Sequence, residues 1–247
     1  MIFYGDYHTH TVYSDGKSSI EENVAAAVKR GLKEVAITDH GFRNAFCLKR
    51  REVALQKKEI EICREKYPDI KILYGIEADL IGADGRIDLD KSDFKEFDLV
   101  IAGFHPSARP YTFRDFWLIN LSTYRAVLFK PSKDVVRRNT KIAIDMLTRY
   151  EIDIYPHVNH SFYVDLQEVA KACADTETYM ELNAKHIDRE TFEALCASEA
   201  KLAANTDAHK KESVGDLSVV ERLAEECGIG LDRIENFKNP IELKRKI

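Results

Sequence analysis

Eight histidines are spread along 247 residues, and six of them fall just past short apolar runs. His8 and His10 stand at i and i+2, so on an extended backbone both project from one face. Asp207 and His209 repeat that spacing, and Asp15, Asp39-His40, Glu77, Asp79, His105 and His157 complete the set. Neutral imidazole suits Zn, Mn, Fe or Ni, and carboxylates can bridge two ions. A pair of such ions about 3.5–4 Å apart can clamp a phosphoryl group and acidify a bridging water. Glu77 lies between the other ligands in chain order and is the natural bridging carboxylate. Asp39 reads either as a ligand or as the partner that orients a ligating histidine. In His157-Val158-Asn159-His160 either histidine could ligate, with His157 preferred. His186, beside Ile187, reads as a structural residue.

These side chains are far apart in sequence, so the elements between them must bring them together. Short runs rich in Ile, Val, Leu and Tyr are expected as strands at Ile2–Tyr7, Glu34–Thr38, Ile70–Tyr74, Leu99–Gly103, Ile152–Tyr155, Tyr179–Leu182 and Lys201–Ala204. Their lack of polar alternation suits strands buried on both faces of a parallel sheet. Amphipathic patterns at Ile20–Arg30, Lys49–Lys66, Ser132–Arg149, Leu166–Ala174, Arg189–Ala197 and Leu217–Cys227 predict helices between or after them. Ser19 and Glu22 offer a capping box for the first helix, and Gly31 offers its stop. Nearly every strand delivers a ligand-type residue at its C-terminal end, Asn183 after the sixth included. Those ends meet on one face of a βα barrel but would be strung along a line in an open sheet. The expected fold is therefore α/β, a barrel with its metal site at the C-terminal ends of the strands.

The length suits one barrel-sized domain over 1–247, and no repeat or linker divides it. Lys and Arg total 37 against 42 Asp and Glu, a formal net charge of −5, which disfavours a long nucleic-acid partner. No apolar stretch approaches a membrane span of roughly 18 residues. The N-terminal residues do not read as a signal peptide. Five widely spaced cysteines with no CxxC pair fit reduced thiols and exclude a thiolate zinc site, so a cytoplasmic protein is expected.

Five ordered motifs, His8-Thr9-His10-Thr11 with Ser14-Asp15-Gly16, Thr38-Asp39-His40-Gly41, Gly75-Ile76-Glu77, Gly103-Phe104-His105 and Asn205-Thr206-Asp207-Ala208-His209, resemble the polymerase and histidinol phosphatase (PHP) superfamily. The likeness runs from the first residues to about residue 237, and is particularly marked toward the small stand-alone phosphatases over 75–90 and 99–105. It implies a distorted (βα)7 TIM-like barrel holding two or three divalent ions (Zn, Mn or Fe). His8, His10, Glu77 and Asp207 would hold one ion, Glu77, His105 and His157 a second, and Asp15, His40 and His209 a third. Some members carry His at the position of Asp15. Glu77, Asp207 and His209 would carry catalysis, with a metal-bridging hydroxide attacking phosphorus in line. The small phosphatases usually have Gly and Pro after the ligand histidine, where this chain has His157–Asp165.

The substrate expected is a small phosphorylated metabolite. Arg43 and Arg109, each a few residues past a ligand, are candidate phosphate clamps. The aromatic, Arg-containing stretch 110–130 (Tyr111, Phe113, Arg114, Phe116, Trp117, Tyr124, Arg125) reads either as a flap, with Trp117 contacting the non-phosphate part, or as an ordinary helix packed on the barrel. The rival functions are a phosphodiesterase or exonuclease on nucleotides or short oligonucleotides, and a non-catalytic metal-binding domain.

Overall fold

The computed structural model describes residues 3–121 and 131–245. Seven parallel strands follow one another in chain order around a sheet: β1 (Gly5–Asp6), β2 (Glu34–Ile37), β3 (Lys71–Asp79), β4 (Leu99–Gly103), β5 (Ile154–Tyr155), β6 (Tyr179–Asn183) and β7 (Leu202–Asn205). Among the described residues, six helices of eight or more residues lie between or after them: α1 (Ile20–Arg30), α2 (Val53–Lys66), α3 (Lys133–Arg149), α4 (Leu166–Asp175), α5 (Arg189–Cys196) and α6 (Ser218–Cys227). Only β3 and β4 are joined without a long helix, through a turn and a single 3₁₀ turn. The architecture is the distorted (βα)7 barrel expected.

Local sequence explains the helix ends. The Ser19–Glu22 capping box forms, and Gly31 stops α1 at φ 83°, a left-handed conformation that costs glycine little. Ser132, Asp165 and Asp188 cap α3, α4 and α5 through their side chains. Several boundaries differ from expectation: β5 keeps only Ile154–Tyr155, β6 runs on to Asn183, β7 is Leu202–Asn205, and α2 starts at Val53. β1 keeps just two residues, because the chain beyond Asp6 turns into the site. β3 runs nine residues, to Asp79, so Glu77 and Asp79 lie within the strand and not after it.

Alternation divides the strand residues between two cores. Val35, Ile37, Ile72, Tyr74, Ile76, Val100 and Leu182 face outward under the helices. Tyr7, Leu73, Leu99, Ile101, Ile154, Tyr179 and Ala203 fill the barrel interior with Ile241, which enters from the N-terminal end. Above that apolar layer, toward the strands' C-terminal ends, the inward positions become Glu77, Asp79, Glu181, Asn183 and Asn205, all buried. The interior is therefore an apolar floor beneath a polar chamber.

The β1–β7 seam is closed largely by other means than a strand ladder. Asn236, fully buried, donates through Nδ2 to the carbonyls of Gly5 (2.9 Å) and Ala204 (2.6 Å), while its Oδ1 accepts from the Ala204 N–H (2.8 Å). Higher up, the Tyr7 N–H donates to Asn205 Oδ1 and the His10 N–H to the Ala208 carbonyl. All five cysteines are free thiols, and no helix among the described residues is long and apolar enough to cross a membrane. Replacing Asn236 with Ala leaves three buried backbone groups without partners. The expected loss is about 3 kcal/mol of unfolding free energy; a urea titration showing less than about 1 kcal/mol would mean that the seam does not depend on it.

Candidate metal centre

Glu77 sits at the centre of the polar chamber with its carboxylate buried among five histidines from four segments. Its Oε1 lies 3.2 Å from His8 Nε2, 3.3 Å from His105 Nε2 and 3.1 Å from His157 Nε2. Its Oε2 lies 3.0 Å from His40 Nδ1 and 3.4 Å from His10 Nε2. Around it three groups of ligand atoms close on one another: His8, His10 and Asp207; His40, Glu77 and His105; and His10, Asp15, His40 and His209. Every residue expected to ligate is thus brought to one chamber. The grouping differs from the expectation: His10 and His40 each join two groups, Glu77 groups with His40 and His105, and His157 approaches Glu77 Oε1 without joining any of the three.

The far nitrogens explain which way the rings face. His8 Nδ1 is 2.8 Å from Glu181 Oε1, and His105 Nδ1 is 2.7 Å from Asp79 Oδ1. A carboxylate cannot donate, so each Nδ1 carries a proton, and once the ring gives up its second proton its Nε2 presents a lone pair to the space beside Glu77. His209 Nδ1 lies 2.9 Å from the Asp207 carbonyl, which likewise leaves its Nε2 lone pair facing Asp15 Oδ1 at 3.2 Å. His8 Nε2 and His10 Nε2 are 3.2 Å apart, and His105 Nε2 and His157 Nε2 3.0 Å. Acceptors pointed at acceptors in a buried chamber repel unless a cation stands between them. Asp15 Oδ1, His40 Nδ1 and Glu77 Oε2 are also buried with no hydrogen-bond partner. The donor set therefore fits divalent ions, and its mixture of imidazole and carboxylate fits Zn, Mn or Fe.

Supporting residues complete the chamber; Glu181 went unread in the sequence, and Asp79 was read only as one of the ligand-type residues. Glu181 saturates its carboxylate with His8 Nδ1, the Asn205 amide, the His157 N–H and the Asn183 amide, joining β1, β5, β6 and β7. Asp79 holds His105. The available signal was period two: both are carboxylates on the face of strands already known to carry Glu77 or Asn183. Asp39 accepts from the Thr11 N–H and hydroxyl, the Ser14 hydroxyl and the Gln56 amide. It orients the ligand loop, with Ser14 Oγ 3.5 Å from His10 Nδ1. His186 is not remote: it stacks on His160 at 3.6 Å, with Nε2 3.6 Å from Asp207 Oδ2. Burial and the neighbouring His160 push His186 down to about 4.

Backbone geometry serves the same ligands. His157 (φ 29°) and Asp207 (φ 51°) both adopt left-handed conformations uncommon for residues with a Cβ. Asn159 (φ 59°) follows, its Oδ1 accepting the Val164 N–H, so a side chain organises the turn where Gly and Pro are absent. Gly16 is required by contact: a Cβ there would lie 2.5 Å from the His10 carbonyl and Thr11 nitrogen.

The residues expected to touch substrate lie on the loops after β2 and β4. The Arg43 guanidinium donates to the carbonyls of Arg109 (3.2 Å) and Pro110 (3.1 Å), tying two ligand-bearing loops together. Arg109 is exposed. In the 110–130 stretch, Phe113–Asp115 form one helical turn and Phe116–Asn120 a π-helical turn. The Tyr111 N–H donates to the Ile81 carbonyl, and Trp117 is exposed against Phe113 and Phe116. Tyr124 and Arg125 lie outside the described residues. Lys185, not singled out in the sequence, places Nζ 3.5 Å from Asp207 Oδ2 and 3.3 Å from His209 Nδ1.

Comparison with known proteins agrees with this geometry. The PHP domain model matches residues 6–225, and the chain belongs to that family. It is 29% identical over 258 residues to a protein named "Probable phosphatase" in Caldanaerobacter subterraneus subsp. tengcongensis, covering 98% of this chain and 92% of that one. It is 31% identical over 219 residues to the DNA polymerase/3'-5' exonuclease PolX of Bacillus subtilis, covering 86% of this chain but 35% of the relative, so the chain spans about a third of that protein. The histidinol phosphate phosphatase of Lactococcus lactis, solved with zinc, L-histidinol and phosphate, superposes with a TM-score of 0.63 at 20% identity over 93% of this chain and 95% of that one. Barrel, ligand chamber and family together define a metal-dependent hydrolase of phosphate esters.

Protonation follows from the crowding. Burial would lower His105, but Glu77 and Asp79 outweigh it and raise it to about 9; His8 and His40 are likewise raised well above 6.5, chiefly by Glu77. Burial and the charge on His40 push His10 down to about 3. At pH 7 the metal-free chamber thus holds protons that ligation must displace. Metal affinity should therefore climb with pH from 7 toward about 9, and binding at pH 7 should release protons. Calorimetry in buffers of different ionisation enthalpy measures that release, and finding none would contradict the assignment.

Proposed function

We propose that the chain hydrolyses small phosphomonoesters, with divalent ions seated in the three adjoining ligand groups. The observation that carries this reading is the convergence of five imidazoles on Glu77, with the His8 and His105 rings fixed at their other nitrogen by Glu181 and Asp79. The ions, when bound, neutralise phosphoryl oxygens and acidify a water held among them. Glu77 belongs to the shared centre, so its charge sets the affinity of more than one site. Asp207 and His209 form the open rim: the Asp207 carboxylate reaches the His10 side while its carbonyl fixes the His209 ring. Lys185, beside Asp207, and Arg109 are proposed as the cations that meet the phosphate, with Arg43 bonded to the loop that carries Arg109. Trp117 is proposed to face the organic part of the substrate.

The similarity to PolX favours one second reading, cleavage of phosphodiesters in nucleotides or short oligonucleotides. The net charge of −5 supports the monoester reading over long polyanions. Protein loaded with Mn2+ or Zn2+ should turn over p-nitrophenyl phosphate faster than its bis ester. The reverse order would transfer the assignment to diesters. Glu77→Gln removes the central charge without changing shape and should lower both bound metal and kcat, the latter by about 10³-fold or more. Full turnover in that variant would displace Glu77 from the centre of the chemistry.

A further inference from the structure

Eight large hydrophobic side chains are exposed among the described residues, and three of them meet in one groove beside the ligand chamber. Val12 is 59% exposed, Phe46 58% and Leu55 52%, and with Tyr13 they wall a space of about 360 Å³, inside the range of roughly 300–1,000 Å³ typical of small-molecule sites. Exposed apolar side chains are ordinary singly, but their gathering around one concavity signals a ligand.

Both walls start at ligand residues. One is the turn after His10, where the Val12 N–H donates to the Ser18 carbonyl and the Ser14 N–H to the Thr11 carbonyl before Asp15 reaches His40 and His209. The other is the loop after His40, fixed by the Leu48 N–H on the His40 carbonyl and the Ala45 N–H on the Ser107 carbonyl. Ser14 lines the groove and also bonds Asp39 beside His10. The groove therefore adjoins the ligand group of His10, Asp15, His40 and His209. Its charged residues, Lys49 and Glu52, pair with each other at 3.4 Å, so it offers no net charge to a second anion.

We propose that this groove is the subsite for the alcohol portion of the substrate, and that it selects an uncharged aromatic or branched apolar group over a small polyol. The inference rests on the phosphomonoesterase reading and adds the class of ester to it. The experiment measures the ratio of kcat/KM for 1-naphthyl phosphate to that for glycerol 2-phosphate in metal-loaded protein. Wild type should prefer the naphthyl ester, and Phe46→Ala and Leu55→Ala should each reduce the ratio about tenfold, the scale of a lost apolar contact. Ile62→Ala, which removes another exposed side chain of α2 outside the groove, should leave the ratio unchanged. No preference in wild type, or the same ratio in Phe46→Ala and Leu55→Ala, would overturn the subsite. If wild type hydrolyses neither ester, the hydrolase reading falls separately, and calorimetric binding of 1-naphthylphosphonate against methylphosphonate decides the groove. Preference for the naphthyl compound that disappears in Phe46→Ala supports it, and equal binding sinks it.

Discussion

The crowding of imidazoles and carboxylates around Glu77 is the constraint that organises this protein. The Nε2 atoms of His8, His105 and His157 and both oxygens of Glu77 occupy one small buried volume, which stays crowded only while protons or cations lie between them. Glu181 and Asp79 hold the rings of His8 and His105 from behind, and the His157 N–H is bonded to Glu181. Buried charge of this density is costly unless compensated. Compensation comes from protons in the metal-free state and from divalent ions in the loaded one, which makes proton and metal occupancy competitors for the same atoms.

The barrel supplies what that crowding demands. Helix-bearing strands give rigid attachment points, and their inward positions change from apolar to polar going up the barrel. The apolar floor of Tyr7, Leu99, Ile101 and Tyr179 anchors the strands, and the polar layer above it carries the ligands. The proposed substrate subsite lies, by contrast, on loops that follow the strands. The antiparallel bridge between Asn44 and Ala108 and the Arg43 contacts lock two of these loops together. The division lets the mouth vary while the chamber beneath stays fixed.

The chain order of His, Asp and Glu already implied the barrel and its ligands, because ligand-type residues beyond most strands have one place to meet. Helix ends were legible for a similar reason: Ser19, Glu22 and Gly31 carry their conformations in their chemistry. What could not be read were interactions between residues whose partners are set by tertiary packing. Glu181 looked like one charge in an apolar run, and only the closed barrel shows it touching four strands. Arg43 looked like a phosphate clamp, yet its guanidinium is bound by loop carbonyls, and no local pattern announces that. His186 looked structural because its nearness to Asp207 depends on the turn after β6.

The segment from Asn236 to Lys244 has a consequence for how the molecule forms. Ile241 completes the interior floor, its N–H donates to the Tyr7 hydroxyl, and the Lys244 N–H donates to Asp153. These contacts join positions more than 200 residues apart in sequence at β1, and about 90 apart at Asp153. Such distant pairings place this barrel among slow folders. A nascent chain lacking these residues would present an unfilled floor and an open strand edge, the kind of surface on which chaperones act. The ligand chamber therefore matures late, after the far ends of the polypeptide have found each other.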